Sequence, residues 1–364
     1  MIETLELENY RGFKRYRVEG LRRVNLLVGK NGCGKTSILE ALALLAARGR
    51  PEQIVAIADH RREWDANPER LAKEPILAHL FLGHSVGAGS QLSVQSEPDG
   101  SRLELKVADA RGSRRISLKS VRDPDSSASL TCSVTFRGAV ATPRLHWEIN
   151  LSRDGVVIDV VDKRLPEDAP TSGEGAFWMV FPESRPDSAT EHLWFKAAKA
   201  GVEGQVIELL RLIRPDLKDV LFSPSAQRRG EGEPEILIGL EAQKARVPLG
   251  SLGDGLTRML EIALGLATLD GGLLLIDEID TSLHYSALMP LWRSLFQVAL
   301  RKDIQIFAST HSLDCLYALG NALEAYPEMG PEVSLQKIDP VLEAAIRLDA
   351  DGLLIATELD IEVR

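Results

Sequence analysis

The sequence predicts an α/β fold built on a phosphate-binding loop, with an antiparallel β insertion and a helical lobe. Three observations predict it. Val24–Val28 is an apolar run that empties into Gly29-Lys30-Asn31-Gly32-Cys33-Gly34-Lys35-Thr36, a full G-x-x-x-x-G-K-[ST] match, and Ser37–Leu45 continues as a helix. A second apolar strand, Leu273–Ile276, ends in Asp277-Glu278. Between about residues 76 and 165 apolar and polar residues alternate at period two, separated by turns such as Asp99-Gly100 and Asp154-Gly155.

Taken in order, Leu5 and Leu7 against Glu6 and Glu8 give a half-exposed strand, Asn9–Phe13 a turn, and Tyr16–Val18 a second strand. The helix after the loop is apolar nearly all round, as a helix buried between layers would be, and Gly49 and Pro51 stop it. In the insertion, strands are expected at Leu103–Val107, Ile116–Leu118, Leu130–Phe136 and Leu145–Leu151, with Ala176–Phe181 returning to the main sheet. Residues 190–219 read as helical, and Glu235–Leu240 as β-like. After the turn Gly250–Gly255, Leu256, Met259, Leu260, Ala263, Leu264 and Ala267 mark an amphipathic helix. A further helix runs through Tyr285–Ala299, kinked at Pro290 or beginning near it. A buried strand, Ile304–Ala308, and a helix from Ser312 follow. The domain reading is therefore 1–189 with 235–364 as one core, carrying the insertion at about 76–165, and 190–234 as the helical lobe.

The composition sets the class. In 364 residues, 44% hydrophobic and 26% charged is ordinary for a globular protein. A net charge of −10 supplies no global attraction to nucleic acid or anionic membranes, so DNA is a possible partner that the charge does not indicate. The basic clusters His60-Arg61-Arg62 and Arg228-Arg229 read as solvated surface. Cys33, Cys132 and Cys315 form no C-x-x-C pair, and no run approaches a membrane span, so a cytoplasmic protein without membrane contact is expected.

In a phosphate loop, the backbone N–H groups of Asn31 to Lys35 converge on phosphate oxygens at a helix N-terminus, and Thr36 and Ser37 open that helix. Lys35 would reach the β- and γ-phosphates of a nucleotide, and the Thr36 hydroxyl would ligate Mg²⁺ with Asp277. Glu278 is placed to deprotonate the attacking water. In Phe307-Ala308-Ser309-Thr310-His311-Ser312, His311 would hydrogen-bond the γ-phosphate or that water, and Ser309 and Thr310 also have the chemistry to cap the next helix.

These elements, in this order, resemble the ABC-type ATPase heads of the SMC and RecF class. Leu252-Gly253-Asp254-Gly255 with Arg258 stands where those heads carry their signature motif, and Asn9-Tyr10-Arg11-Gly12-Phe13 is similar to their opening. LLLIDEIDTSLHYS, FASTHSLDC and the terminal IEVR look most like stand-alone OLD-like (overcoming lysogenisation defect) ATPases of anti-phage defence systems such as PARIS. The resemblance implies an ABC-type head that binds and hydrolyses ATP with Mg²⁺, with Glu278 and His311 catalytic. It implies a homodimer or higher homo-oligomer formed through the ATP sites, in which Ser251, Gly253 and Gly255 meet the partner's γ-phosphate. It places Asp280–Ser282 as the loop after the carboxylates, and Tyr10 or Arg11 against the adenine. It further implies a separately encoded effector, such as a Toprim-like nuclease. Beside it stands a RecF-like DNA-binding ATPase of DNA repair. The chain departs from the pattern where a signature serine is expected after Leu252. Gly253 stands there, so either Ser251 substitutes or the contact across the dimer is made by backbone alone. The 181–185 stretch lies in the glutamine-loop neighbourhood and holds no glutamine.

Overall fold

The structure, a computed structural model, describes residues 1–65, 74–110, 130–138, 145–162, 176–183, 186–223 and 235–353. The chain divides into two compact units. One comprises Met1–Leu21, Thr36–Gly175 and Ile338–Ile346; the other comprises Arg22–Lys35, Ala176–Lys337 and Arg347–Arg364.

The first unit is built on a seven-stranded sheet. Its strands are β1 (Thr4–Tyr10) and β2 (Phe13–Glu19), then β4 (Gln91–Glu97), β5 (Arg102–Asp109), β6 (Leu130–Arg137), β7 (Leu145–Leu151) and β8 (Val157–Asp162). They lie in the order β2-β1-β4-β5-β6-β7-β8, and every neighbouring pair is antiparallel. Period-two patterning explains why. Leu5 and Leu7, Leu103 and Leu105, Cys132 and Val134, and Trp147 and Ile149 all turn to a buried face. The N-terminal hairpin is thus continuous with the meander, because the free edge of β1 takes β4, a strand that its polar sequence, QLSVQSE, conceals. Helix α1 (Lys35–Ala46) is buried along its length at Ile38, Leu39, Leu42 and Leu45, as its all-round apolar sequence predicts. Helix α2 (Pro51–Arg61) follows, with proline at its first position. The strand expected at Ile116–Leu118 lies outside the described residues.

The second unit holds a six-stranded sheet in the order β16-β15-β3-β14-β13-β9. These strands are β3 (Val24–Val28), β9 (Phe177–Val180), β13 (Leu273–Ile276), β14 (Gln305–Thr310), β15 (Val333–Lys337) and β16 (Ile346–Leu348). Five of them run parallel, from β15 through β3, β14 and β13 to β9. Parallel strands covered on both faces are near-continuous apolar runs, and all of Val24–Val28 is buried. The exception is Asn25. Its amide donates to the Ile306 carbonyl at 3.1 Å and accepts from the Ser334 hydroxyl at 3.3 Å, which fixes β3 between β14 and β15.

Helices α3 (Ser188–Lys199) and α4 (Glu203–Leu210) follow β9 in this unit, and Trp194, Ala197, Val206 and Leu210 join its core. The helical reading of residues 190–219 overruns. The last helix stops at Leu210, before Pro215, and β10 (Leu217–Ser223) pairs with β11 (Glu235–Leu240), which in turn pairs with the short β12 (Val247–Pro248). Helices α5 (Asp254–Thr268), α6 (Tyr285–Lys302) and α7 (Leu313–Ala325) complete the unit, and Met259, Leu260, Trp292, Leu295 and Leu319 share one core with Leu274, Ile276 and Ile306. Pro290 lies inside α6, in its second turn. Arg228-Arg229 and the terminal IEVR fall outside the described residues. Among the described residues no helix is long and apolar enough to cross a membrane.

Candidate functional site

In a parallel sheet, ligands meet the carboxyl ends of the strands. Four such ends adjoin in the second unit. β3 delivers the loop Gly29–Lys35, β13 delivers Asp277 and Glu278, β14 delivers Ser309–His311, and β9 delivers Phe181. The sheet thus gathers the loop, the two carboxylates and the histidine segment along one edge.

The loop takes the shape its glycines allow, with positive φ at Gly29, Gly32 and Gly34. Asn31 and Gly32 are exposed, and Cys33 and Lys35 are buried. The Lys35 ammonium donates to the Gly29 carbonyl at 2.7 Å and the Lys30 carbonyl at 3.0 Å, which holds it over the loop. Thr36 and Ser37 stand in the first turn of α1.

Asp277 is buried and Glu278 is partly exposed. Glu278 has φ 50, a left-handed backbone that costs a non-glycine residue about 1–3 kcal/mol and persists only where its surroundings enforce it. Its neighbours enforce it. Thr281 Oγ1 donates to Glu278 Oε2 at 3.0 Å, and His311 Nδ1 lies 3.8 Å from Glu278 Oε1. Ser309, for which capping was one of the readings the sequence allowed, touches both Asp277 and Glu278. Ser312 caps α7 instead, accepting from the Cys315 N–H at 3.4 Å. Thr310 donates to Asp280 in the loop after the carboxylates.

Arg258 is the residue whose role sequence reasoning missed. It is 4% exposed, on the second turn of α5. Its Nη1 donates to the Phe181 carbonyl at 2.5 Å, and its Nη2 donates to the carbonyl of Asp277 and, at 2.9 Å, to that of Glu278. Burial lowers its pKa, and the surrounding Glu261, Asp277, Glu278 and Asp280 oppose that shift. One cation therefore ties the glycine turn, the end of β9 and the carboxylate loop together. Arg258→Met keeps the stem and removes three donors from buried carbonyls. We expect it to lower unfolding stability by about 3 kcal/mol, read by urea denaturation.

The glycine turn explains the departure noted above. Gly253 has φ 95, so a serine there would carry a strained backbone; glycine stands where the geometry requires it. Ser251 is exposed in the short 3-10 turn Leu249–Leu252. Gly255, expected to face a partner's phosphate, packs on its own chain. A Cβ there would lie 2.4 Å from the Ser282 carbonyl oxygen.

Tyr10 and Arg11, one or other of which the resemblance sets against the adenine, are both buried in the first unit. Arg11 Nε lies 2.7 Å from Glu40 Oε2 and its Nη1 2.7 Å from Glu63 Oε1. The reason is Glu40, fully buried on α1, whose carboxyl is pushed up by burial and held back by Arg11 and Arg61. Arg61, read from sequence as solvated surface, is the second of those cations, at 2.6 Å from Glu40 Oε1, and its Nη2 reaches Ser37 Oγ at 3.5 Å.

Among the described residues no group of three or more His, Cys, Asp or Glu could hold a metal ion. The buried Asp277 carboxylate is a hard oxygen donor of the kind suited to a cation that takes most of its ligands from phosphate and water, as Mg²⁺ does.

A sequence-family model described as "AAA domain, putative AbiEii toxin, Type IV TA system" matches residues 24–314. The chain belongs to this AAA-domain family. An ATP/GTP phosphatase of Helicobacter pylori is 20% identical over 348 residues, covering 89% of this chain and 88% of that protein. The DNA replication and repair protein RecF of Heliobacterium modesticaldum is 28% identical over 115 residues, 32% of this chain and 28% of RecF. Among solved structures, an SMC head bound to the C-winged helix domain of ScpA superimposes with a TM-score of 0.50 at 13% identity, covering 96% of this chain and 98% of that one. That likeness bears out the α/β fold with the P-loop ATPase architecture of an SMC head. The chain is thus an AAA-domain protein with the fold of an SMC head.

Proposed function

We propose that the chain binds and hydrolyses Mg-ATP, and that nucleotide-dependent pairing of two copies controls a separately encoded effector. The observation that carries the hydrolytic part is the adjacency of Lys35, Asp277, Glu278 and His311 at neighbouring ends of one parallel sheet. Lys35 and the loop N–H groups would bind and orient the phosphates. Asp277 and Thr36 would hold Mg²⁺, which supplies charge neutralisation on the phosphates when bound. Glu278 would take the proton of the attacking water on its carboxylate, and His311 would orient that water or the terminal phosphate.

Pairing would place the exposed Ser251 and Gly253 of one copy against the other copy's nucleotide. Gly255 would support that turn from behind, against Ser282. The OLD-like resemblance of the segments around Asp277 and His311 supports a role in anti-phage defence and an effector such as a Toprim-like nuclease. A cytoplasmic setting accords with that role. Phosphate release from Mg-ATP by the purified chain tests the hydrolytic core. Hydrolysis is expected, and its absence both alone and with the product of a neighbouring effector gene would sink it.

The RecF relationship favours a second reading, a DNA-binding ATPase of repair. Stimulation of hydrolysis by gapped duplex DNA would favour it over effector control.

A further inference from the structure

We propose that Ser309 is a positioning residue that sets both carboxylates of the site through a single hydroxyl; this deepens the Mg-ATP reading and rests on it. Ser309 is fully buried at the end of β14. The parallel register pairs Ile276 with Ala308, so Ser309 and Asp277 are the next residues out on their strands. Ser309 Oγ accepts from the Glu278 N–H at 2.8 Å and donates to Asp277 Oδ1 at 2.5 Å. Its carbonyl accepts from the Ile279 N–H at 2.9 Å. One residue thereby addresses three consecutive positions, 277, 278 and 279.

The chemistry of each bond is distinct. A hydroxyl has one proton to give, and Ser309 gives it to Asp277, which orients that carboxylate at a strand end where a cation would be held. Partners behind a metal ligand fix its rotamer, and losing one costs about 10- to 100-fold in metal affinity or activity. The hydroxyl's lone pair meanwhile satisfies the Glu278 N–H in the left-handed conformation that aims the Glu278 side chain beside His311. The neighbours extend the pattern. Thr310 pairs with Asp280 and His311 with Glu278, so residues 309–311 each meet a different acid of the facing loop. A capping role does not account for Ser309, because Ser312 caps the following helix.

The test compares Ser309→Ala and Ser309→Cys, which remove or weaken the donor, with Ser309→Thr, which keeps it. Two readouts are taken on the full chain: the Mg²⁺ concentration that half-saturates ADP binding in calorimetry, and phosphate release from Mg-ATP. We expect Ala and Cys to raise the Mg²⁺ half-saturation by about tenfold or more and to lower turnover by about 10- to 100-fold, with ADP affinity in excess Mg²⁺ changed less than about threefold. Threonine restores both values to within about threefold. A folded Ala or Cys variant with wild-type Mg²⁺ dependence and turnover would overturn the proposal, as would threonine behaving like alanine. If alanine does not fold, cysteine, which matches serine in size, carries the comparison. A wild-type chain that binds neither Mg-ADP nor Mg-ATP would instead overturn the nucleotide reading itself.

Discussion

Glu278→Gln should bind Mg-ATP as the wild type does and hydrolyse it at least about 100-fold more slowly, the scale of a lost general base. The substitution is close to isosteric. The backbone of residue 278 stays fixed by the Ser309 hydroxyl, which takes its N–H, and by Arg258, which donates to its carbonyl. The amide oxygen can still accept from Thr281. What disappears is a carboxylate able to take a proton from water. ATP that stays intact should also accumulate any nucleotide-dependent assembly, so sedimentation with Mg-ATP is expected to shift to a larger species for Glu278→Gln. An unchanged profile would count against pairing and leave hydrolysis untouched.

Lys35→Ala should weaken ATP binding by about 30- to 150-fold, corresponding to roughly 2–3 kcal/mol for a charge-assisted contact to phosphate. The ammonium is buried over the loop, held by the Gly29 and Lys30 carbonyls, and so arrives at the phosphates already oriented. Its loss removes charge where the ligand is most negative. Calorimetry with Mg-ATP reads the affinity, and circular dichroism confirms the fold. Binding within about threefold of wild type would contradict the role given to Lys35.

The most legible parts of the sequence were those whose chemistry is local. A phosphate loop is a contiguous word, and Val24–Thr36 states it in full. Strands β13 and β14 were visible because parallel strands buried on both faces are apolar runs, and α5 because its apolar residues keep helical spacing. β4 was harder to see. QLSVQSE carries few apolar residues, and it forms a strand because β1 presents an edge to it.

Long-range pairings were hidden for the same reason. Nothing near Arg258 in sequence announces that it will hold the carbonyls of Asp277 and Glu278, 19 and 20 residues away. Arg11 looked available to a ligand because Glu40 is a single acid in a helix whose burial becomes evident only after folding. Ser309 was the nearest miss. Once β13 and β14 are taken as parallel, their register alone puts it beside Asp277. Gly253 shows the opposite case, where a departure from a motif was visible and its cause, a φ of 95, was not.

In the proposed function these strand ends form a hydrolytic nucleotide site with Glu278 as base. Single-turnover phosphate release, with enzyme in excess over Mg-ATP, tests it most directly because binding and product release then drop out. One rapid phase is expected in the wild type, slowed at least about 100-fold in Glu278→Gln although the nucleotide is fully bound. A Glu278→Gln chain that releases phosphate at the wild-type rate would contradict it.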